Sequence, residues 1–243
     1  MAGHSHAKNV MRQKSASDAK RAKIFNKIAR EIMVSVKLGS PDPAHNPRLR
    51  AAIAEARACN MPRERIERAI KAAQPGGAND KTNYEAVRYE AYGPGGCAMI
   101  IEALTDNRNR TAAEVRAAVS KHGGTLGEPN SVIFMFRRTG EIVYPAAKAS
   151  AEAMLEAVIE AGGDDVESDD EAHIVSTSPE SFATVRDALE EKFGEPASAR
   201  LTWRADTLVP VSGEAAQSLR KLIDALEDND DVQDVIGNFD FAG

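Results

Sequence analysis

The sequence has little cysteine and no long apolar run. Of its 243 residues only Cys59 and Cys97 are cysteines, and they stand far apart with no CxxC or Cys/His spacing. This argues against a disulfide framework or a structural zinc site, and a reducing cytoplasm is the expected location. No apolar run approaches the length that a helix needs to cross a bilayer, so we expect no membrane contact.

Aromatic residues are also scarce. They make up 5% of the chain, with one Trp and four Tyr. The chain therefore has few aromatic side chains for a sheet that stacks several bases, as in RNA-recognition-motif or OB-type domains. If the protein binds nucleic acid, contacts to phosphate should dominate.

Residue patterns that support catalysis are missing as well. None of the five histidines lies in an HExxH-type pair, and no Ser/His/Asp or Cys/His set follows from the local sequence. The acidic runs 164–171 and 227–234 lack the central glycine of a calcium loop, and they are interpreted as solvated turns. We expect a protein that is not an enzyme and that carries no metal and no cofactor.

What the sequence does have is a strong separation of charge. Through position 80 it carries sixteen Lys and Arg against seven Asp and Glu, and the remainder carries fifteen against thirty, although the net charge is only −6. A basic end on an acidic body indicates nucleic-acid binding with a defined orientation. The alternative is a helical bundle whose solvated faces happen to be basic.

The basic part begins with an arm, residues 3–16, whose apolar surface is too small to hold a fixed conformation alone. An amphipathic helix is predicted from Ser15–Asp18, where Ser-x-x-Asp resembles a capping box, to Gly39. Two shorter helices are predicted to start at Asn46 and Pro62, and 75–82 is interpreted as a linker. The candidate phosphate contacts are Lys8, Arg12, Lys14, Lys20, Arg21, Lys23, Lys27 and Arg30.

From Tyr84 the pattern becomes alternating, which predicts a β-hairpin whose turn is the glycine cluster 93–96. A phosphate cradle is the other interpretation of that cluster, but it requires a helix directly after the loop, and a strand is predicted there. The segment 105–111 then leads into a helix, and a further strand is predicted from Ser131 to Phe136.

Arg108 and Arg110 lie near the start of that helix, where the helix dipole disfavours cations. One solution is an ion pair with Asp106 or Glu114. The other is a phosphate held by the helix N-terminus and both guanidinium groups, which would make Arg108 and Arg110 a second, weaker site.

Residues 139–205 show a complete β-α-β-β-α-β pattern, in which Ser178 is predicted to cap the second helix. The helix and strand that follow would complete the sheet begun at Tyr84. The predicted fold class is therefore α+β, with an N-terminal three-helix bundle and two ferredoxin-like α+β domains. The expected domains are residues 1–80, a discontinuous domain of 81–138 and 206–243, and an inserted domain of 139–205.

Long segments of the chain resemble the YebC/PmpR family. They include MAGHS, KNVMRQK, DAKRAKIF, PDPAHNPRLRAAI, NMPRERIERAI, RYEAYGPGG, EALTDNRNRTAAEVR, LEDNDDVQDV and NFD. The resemblance implies a helical N-terminal domain, two related α+β domains, and nucleic acid meeting the basic N-terminal part. Bacterial members are commonly labelled DNA-binding transcriptional regulators, and a ribosome-associated translation role is also attributed to them. Mitochondrial relatives are translational activators of cytochrome c oxidase subunit one.

We therefore expect a monomeric, cytoplasmic, non-enzymatic regulator of gene expression. Its target is either promoter DNA, which the family label favours, or ribosomal RNA. The acidic α+β domains are expected to touch protein partners. A pure protein–protein adaptor is the competing interpretation, and it predicts no salt-sensitive binding.

Overall fold

The computed structural model describes residues 18–79 and 81–241. The predicted arm lies outside the described residues, and of the capping box only Asp18 lies within them. In chain order the elements are α1 Asp18–Leu38, α2 Pro47–Ala58, α3 Arg63–Ala73, β1 Glu85–Tyr92, β2 Ala98–Thr105, α4 Arg108–Lys121, β3 Thr125–Leu126, β4 Phe136–Pro145, α5 Ala151–Ala161, β5 Asp165–Ser168, β6 Ala172–Thr177, α6 Phe182–Phe193, β7 Ser198–Ala205, β8 Val209–Val211, α7 Gly213–Glu227, β9 Val232–Gly237 and β10 Phe239–Phe241. The α+β class is confirmed.

The described chain forms two compact units. The discontinuous unit consists of 78–137 and 204–241, and the helical unit consists of 18–77 and 138–203. The three N-terminal helices and the β4–β7 sheet thus fall in one unit. The finer division into three domains stays a prediction.

α1 buries the apolar stripe that its spacing predicts, and α2 and α3 pack against it. The buried positions of the stripe are Phe25, Ile28, Ile32, Met33 and Val36. Val34 and Ser35 are buried too, so α1 is covered on every side from Ile32 to Val36.

Asn46 joins the end of α1 to the start of α2. Its Oδ1 accepts the backbone N–H of Leu49 at 3.0 Å, and its Nδ2 donates to the carbonyl oxygens of Ser35 and Ser40, each at 2.8 Å. The backbone of Gly39 passes so close that a Cβ there would lie 2.8 Å from the Asn46 amide nitrogen. The predicted start of the second helix is confirmed.

The discontinuous unit is built on an antiparallel sheet of order β3-β1-β2-β9. The predicted hairpin is confirmed, since β1 pairs with β2 from Glu85 opposite Thr105 to Tyr92 opposite Ala98. The glycine cluster forms its turn, in which Gly95 adopts a φ of 83°. α4 and α7 cover one face of the sheet around Met99, Ile101, Val115, Leu219 and Leu222.

The helical unit contains a second sheet, of order β5-β6-β4-β7. Its chain order of β4-α5-β5-β6-α6-β7 gives the predicted ferredoxin-like arrangement. α5 and α6 pack on one face around Ile142, Tyr144, Met154, Val175 and Val185. The first sheet also carries two helices, but its chain runs β1-β2-α4-β3 before α7 and β9 complete it. β8 lies outside this sheet and pairs in parallel with β10.

The strand predicted from Ser131 to Phe136 is wrong. Ile133–Met135 forms a 3-10 turn, and the strand begins only at Phe136. The reason lies in β1, where the carboxylate of Glu90 takes the backbone N–H groups of this segment that a neighbouring strand would otherwise bind.

Two local predictions also need correction. α6 begins at Phe182 with Ser181 as its N-cap; the Ser178 hydroxyl instead accepts the backbone N–H of Ser181 at 3.1 Å. The acidic run 227–234 is not a solvated turn, because Asp231 and Asp234 are buried. The run 164–171 does have exposed acidic side chains, as predicted. None of the described helices is long and apolar enough to span a bilayer.

Candidate nucleic-acid interface

The structure describes only part of the predicted basic interface. Lys8, Arg12 and Lys14 lie outside the described residues. Lys20 belongs to α1, but its side chain is not described. Arg21, Lys23, Lys27 and Arg30 all lie on α1.

Lys20, Lys23, Lys27 and Arg30 form a stripe along α1 opposite its buried face. They recur at spacings of three and four residues, which keeps them on one side of a helix. Lys23, Lys27 and Arg30 are half-buried, whereas Arg21 is exposed on the side of the helix that carries Phe25, one turn before it. Val34 continues the same side and is buried, so the open part of the stripe is confined to the first turns of α1. We refer to residues 20–30 of α1 as the basic stripe.

α2 and α3 add three basic side chains that the sequence analysis did not select. Arg50, Arg68 and Lys71 are exposed, and none forms an ion pair with a residue in the described ranges. Arg68 and Lys71 are three residues apart and lie off the buried positions Ile66 and Ala69 of α3. Helical periodicity applied to the second and third helices would have identified them.

Two other arginines of the helices are engaged within the fold. Arg48 binds Glu31 through both its Nε and an Nη nitrogen, at 2.5 and 2.9 Å. Arg65 lies over the ring of Phe25, 5.2 Å from its centroid, and donates to Asn26 at 2.7 Å. These contacts tie α2 and α3 to α1, so both residues have a structural role.

The second predicted site lies at the N-terminus of α4. Arg110 donates to Asp106 at 2.9 Å and to Asp231 at 2.6 Å. Asp231 also accepts from Thr111 at 2.6 Å and from Thr105 at 3.2 Å. The hydrogen bond of Arg110 with Asp231, followed by the one with Asp106, raises the pKa of Arg110. The anion that the start of α4 requires is thus supplied by two carboxylates of the protein.

Arg108 has a weaker partner. Its Nη1 lies 3.7 Å from Glu85, and its side chain is largely exposed. Glu114, which the sequence offered as a partner, accepts from Asn229 at 2.7 Å. The predicted phosphate site at this helix start stays a prediction, and it now depends mainly on Arg108.

Thiol and metal chemistry find little support in the described residues. Burial raises the pKa of Cys59 to about 12 and that of Cys97 to about 11, so both thiols are neutral at pH 7. Within 18–79 and 81–241, no group of three or more His, Cys, Asp or Glu side chains is arranged to hold a metal ion.

Comparison with known proteins matches both the sequence and the fold. Residues 5–76 match the family described as the TACO1/YebC protein N-terminal domain, and residues 84–239 match the TACO1/YebC second and third domain. A similar solved structure is that of the conserved hypothetical protein Aq1575 from Aquifex aeolicus. It is 45% identical, the alignment covers 93% of each chain, and the TM-score is 0.85.

Proposed function

The chain belongs to the TACO1/YebC family, and from this premise we propose that it is a non-enzymatic regulator of gene expression that binds nucleic acid through its basic N-terminal part. The observation that carries the proposal is the basic stripe of α1, on the side of the helix opposite its buried face. Arg50, Arg68 and Lys71 extend the positive charge onto α2 and α3.

The proposed mechanism is neutralisation of phosphates with release of counterions. Each phosphate contact lowers the slope of log affinity against log salt by about 0.9 on duplex DNA and about 0.7 on single strands. The excess of acidic residues after position 80 weakens the attraction of that part for the same polyanion. This difference in charge would orient the protein on its target.

Two targets are candidates. The matched family of the second and third domains carries a transcription-regulator label, which favours promoter DNA. The scarcity of aromatic residues, the lack of a recognisable recognition-helix code and the large acidic part of the chain favour ribosomal RNA, since an acidic part suits basic ribosomal proteins. Sedimentation of a gently lysed extract with DNase and a salt series separates the two. Co-migration with ribosomes that survives DNase and fades with salt supports RNA, whereas retention on one promoter sequence over its scrambled form supports DNA.

The acidic α+β part is proposed to bind a protein partner through α5. Leu155 and Ile159 are 48% and 68% exposed and are one helical turn apart. Glu152, Glu156 and Glu160 run beside them at the same spacing. An apolar ridge flanked by carboxylates suits a segment rich in Lys or Arg with interspersed apolar residues. Photo-crosslinking from position 159 should then yield peptides of that composition, and crosslinks to acidic or neutral segments would contradict the proposal.

A further inference from the structure

The loop between β3 and β4, residues 127–135, presents an aromatic side chain to solvent. Phe134 is 70% exposed, while Val132 and Phe136 on either side of it are buried. The alternation expected of a strand does not produce this arrangement; the 3-10 turn at Ile133–Met135 turns Phe134 outward. A large exposed apolar side chain on a short loop is a feature that a binding role would explain.

The loop is held in place by a buried carboxylate. Glu90 of β1 accepts the backbone N–H of Asn130 at 2.9 Å through one oxygen. Its other oxygen accepts those of Val132 at 2.8 Å and Ile133 at 3.0 Å. Burial by itself would raise the pKa of Glu90, but these three donors together with nearby Arg88 outweigh it, so the pKa lies below its usual value. A charged Glu90 thus fixes the backbone immediately before Phe134.

Further contacts hold both sides of the loop. The Tyr92 hydroxyl donates to the carbonyl of Ser131 at 3.0 Å, and Gly127 donates its backbone N–H to the Glu90 carbonyl at 2.7 Å. After the turn, the Met135 carbonyl accepts the backbone N–H of Asp206 at 3.0 Å. The position of Phe134 is therefore fixed before any ligand arrives, which lowers the entropic cost of binding.

Two arginines adjoin the loop, and each lies near a carboxylate. The Nε of Arg88 is 3.4 Å from Glu90. Arg88 donates to Asn130 in the loop at 3.4 Å. Arg137 follows three residues after Phe134, is largely exposed, and lies 3.9 Å from Asp206. Glu128 is the acidic residue of the loop itself. Proteins that bind single-stranded nucleic acid combine an aromatic ring, on which a base stacks, with cations that contact the phosphates. The loop presents the ring, and the largely exposed Arg137 is the cation available to a phosphate.

We infer that Phe134 is a stacking site for an unpaired nucleobase of single-stranded nucleic acid. The inference rests on the proposed function. It adds one base contact to a mode of binding that otherwise recognises phosphate. Paired bases inside a duplex are excluded, because their faces are already stacked on their neighbours.

Tryptophan fluorescence tests this inference directly. Trp203 is the single tryptophan, so Trp203→Phe removes the background and Phe134→Trp places the reporter in the loop. The probes are one short oligoribonucleotide, the same sequence as single-stranded DNA, and that DNA as a duplex. Stacking should quench the reporter with a single-stranded probe and leave it nearly unchanged with the duplex. Quenching by RNA alone assigns the base to RNA, and quenching by both single strands assigns it to any unpaired segment.

The control variant carries Gln217→Trp in the same Trp203→Phe background, since Gln217 is exposed on α7 of the same unit. This reporter should stay unquenched when the probe binds. In the natural background, Phe134→Ala should weaken binding of the single-stranded probe by roughly 5- to 150-fold, and Phe134→Tyr should restore it.

Binding is followed independently by fluorescence anisotropy of labelled probes. Probes that bind without quenching the Phe134→Trp reporter would overturn the stacking site and leave the proposed function standing. Absence of any salt-sensitive binding would overturn both. The Phe134→Ala variant gives a further test. If it keeps its affinity for every probe but no longer crosslinks to a protein that the natural chain captures, the ring serves a protein contact and the stacking site is overturned.

Discussion

At the scale of single residues, two buried carboxylates account for contacts and a loop path that the sequence pattern did not predict. Asp231 lies in an acidic run and Glu90 at a polar position of an alternating strand, yet each accepts hydrogen bonds from a distant part of the chain. Asp231 joins the β2–α4 segment to the turn before β9. Glu90 sets the path of the loop before β4. Such contacts depend on tertiary pairing, which composition and periodicity do not encode.

Replacing Asp231 by Ala should lower the free energy of unfolding by about 2–3 kcal/mol, because the hydroxyls of Thr105 and Thr111 lose a buried acceptor. Asp106→Ala is the matched control. It removes the half-exposed partner of Arg110 and should cost less than about 1 kcal/mol. Urea unfolding measures both changes. Equal costs for the two variants would mean that the buried network does not support the fold.

Glu90 should give the stability of the discontinuous unit a defined pH dependence. Its pKa is depressed in the folded protein, so its contribution is complete above the unfolded pKa of about 4.3 and is lost as the pH falls through the folded value. Glu90→Gln should cost about 1–3 kcal/mol at pH 7, and the difference from the natural protein should shrink below about pH 4. Glu128→Gln, an exposed neighbour, should show neither effect. A pH-independent gap would contradict this assignment.

At the scale of elements, the sequence predicted those helices and strands that depend on interactions between residues close together in the chain. Apolar spacing defined the buried stripe of α1, Asn46 marked the start of α2, and the alternation after Tyr84 predicted the hairpin. The failures share a different cause. The segment 131–136 has strand-like residues, but the carboxylate of Glu90, distant in sequence, takes its backbone donors. For the candidate site, the charge pattern selected basic residues of α1. Arg50, Arg68 and Lys71 were missed, although the helical periodicity of α2 and α3 also places them off the buried positions.

Asn46 is the element-scale contact with the largest expected effect. Asn46→Ala removes the α2 cap and two hydrogen bonds to the end of α1, so the free energy of unfolding should fall by about 2–3 kcal/mol. Asp42→Ala provides the comparison, because Asp42 caps only the exposed turn at Pro43–His45 and should cost about 1 kcal/mol or less. Thermal unfolding of both variants gives the ranking. A smaller loss for Asn46→Ala than for Asp42→Ala would refute the role of Asn46 in joining α1 to α2.

At the scale of the whole molecule, the separation of charge is the property from which the functional account starts. The basic excess lies before position 81 and the acidic excess after it. The family membership fits a regulator, and the basic stripe is its proposed surface for phosphate. The acidic part offers the α5 ridge for a basic protein segment. Charge composition predicts the class of ligand. Which basic side chains remain exposed depends on packing, since Arg48, Arg65 and Arg110 each bind a side chain of the protein itself.

The salt dependence of nucleic-acid binding tests the central claim most directly. Lys20, Arg21 and Lys23 are replaced together by Ala, and affinity for a fixed probe is measured over a salt series. The control replaces Lys121, Lys148 and Lys221, which removes the same charge from the part of the chain that follows position 80. The account predicts weaker binding for the first variant. Its slope of log affinity against log salt concentration should be flatter by the equivalent of up to about three phosphate contacts, and the slope of the control should be unchanged. An unchanged slope for the first variant, or equal changes in both, would contradict binding through the basic stripe.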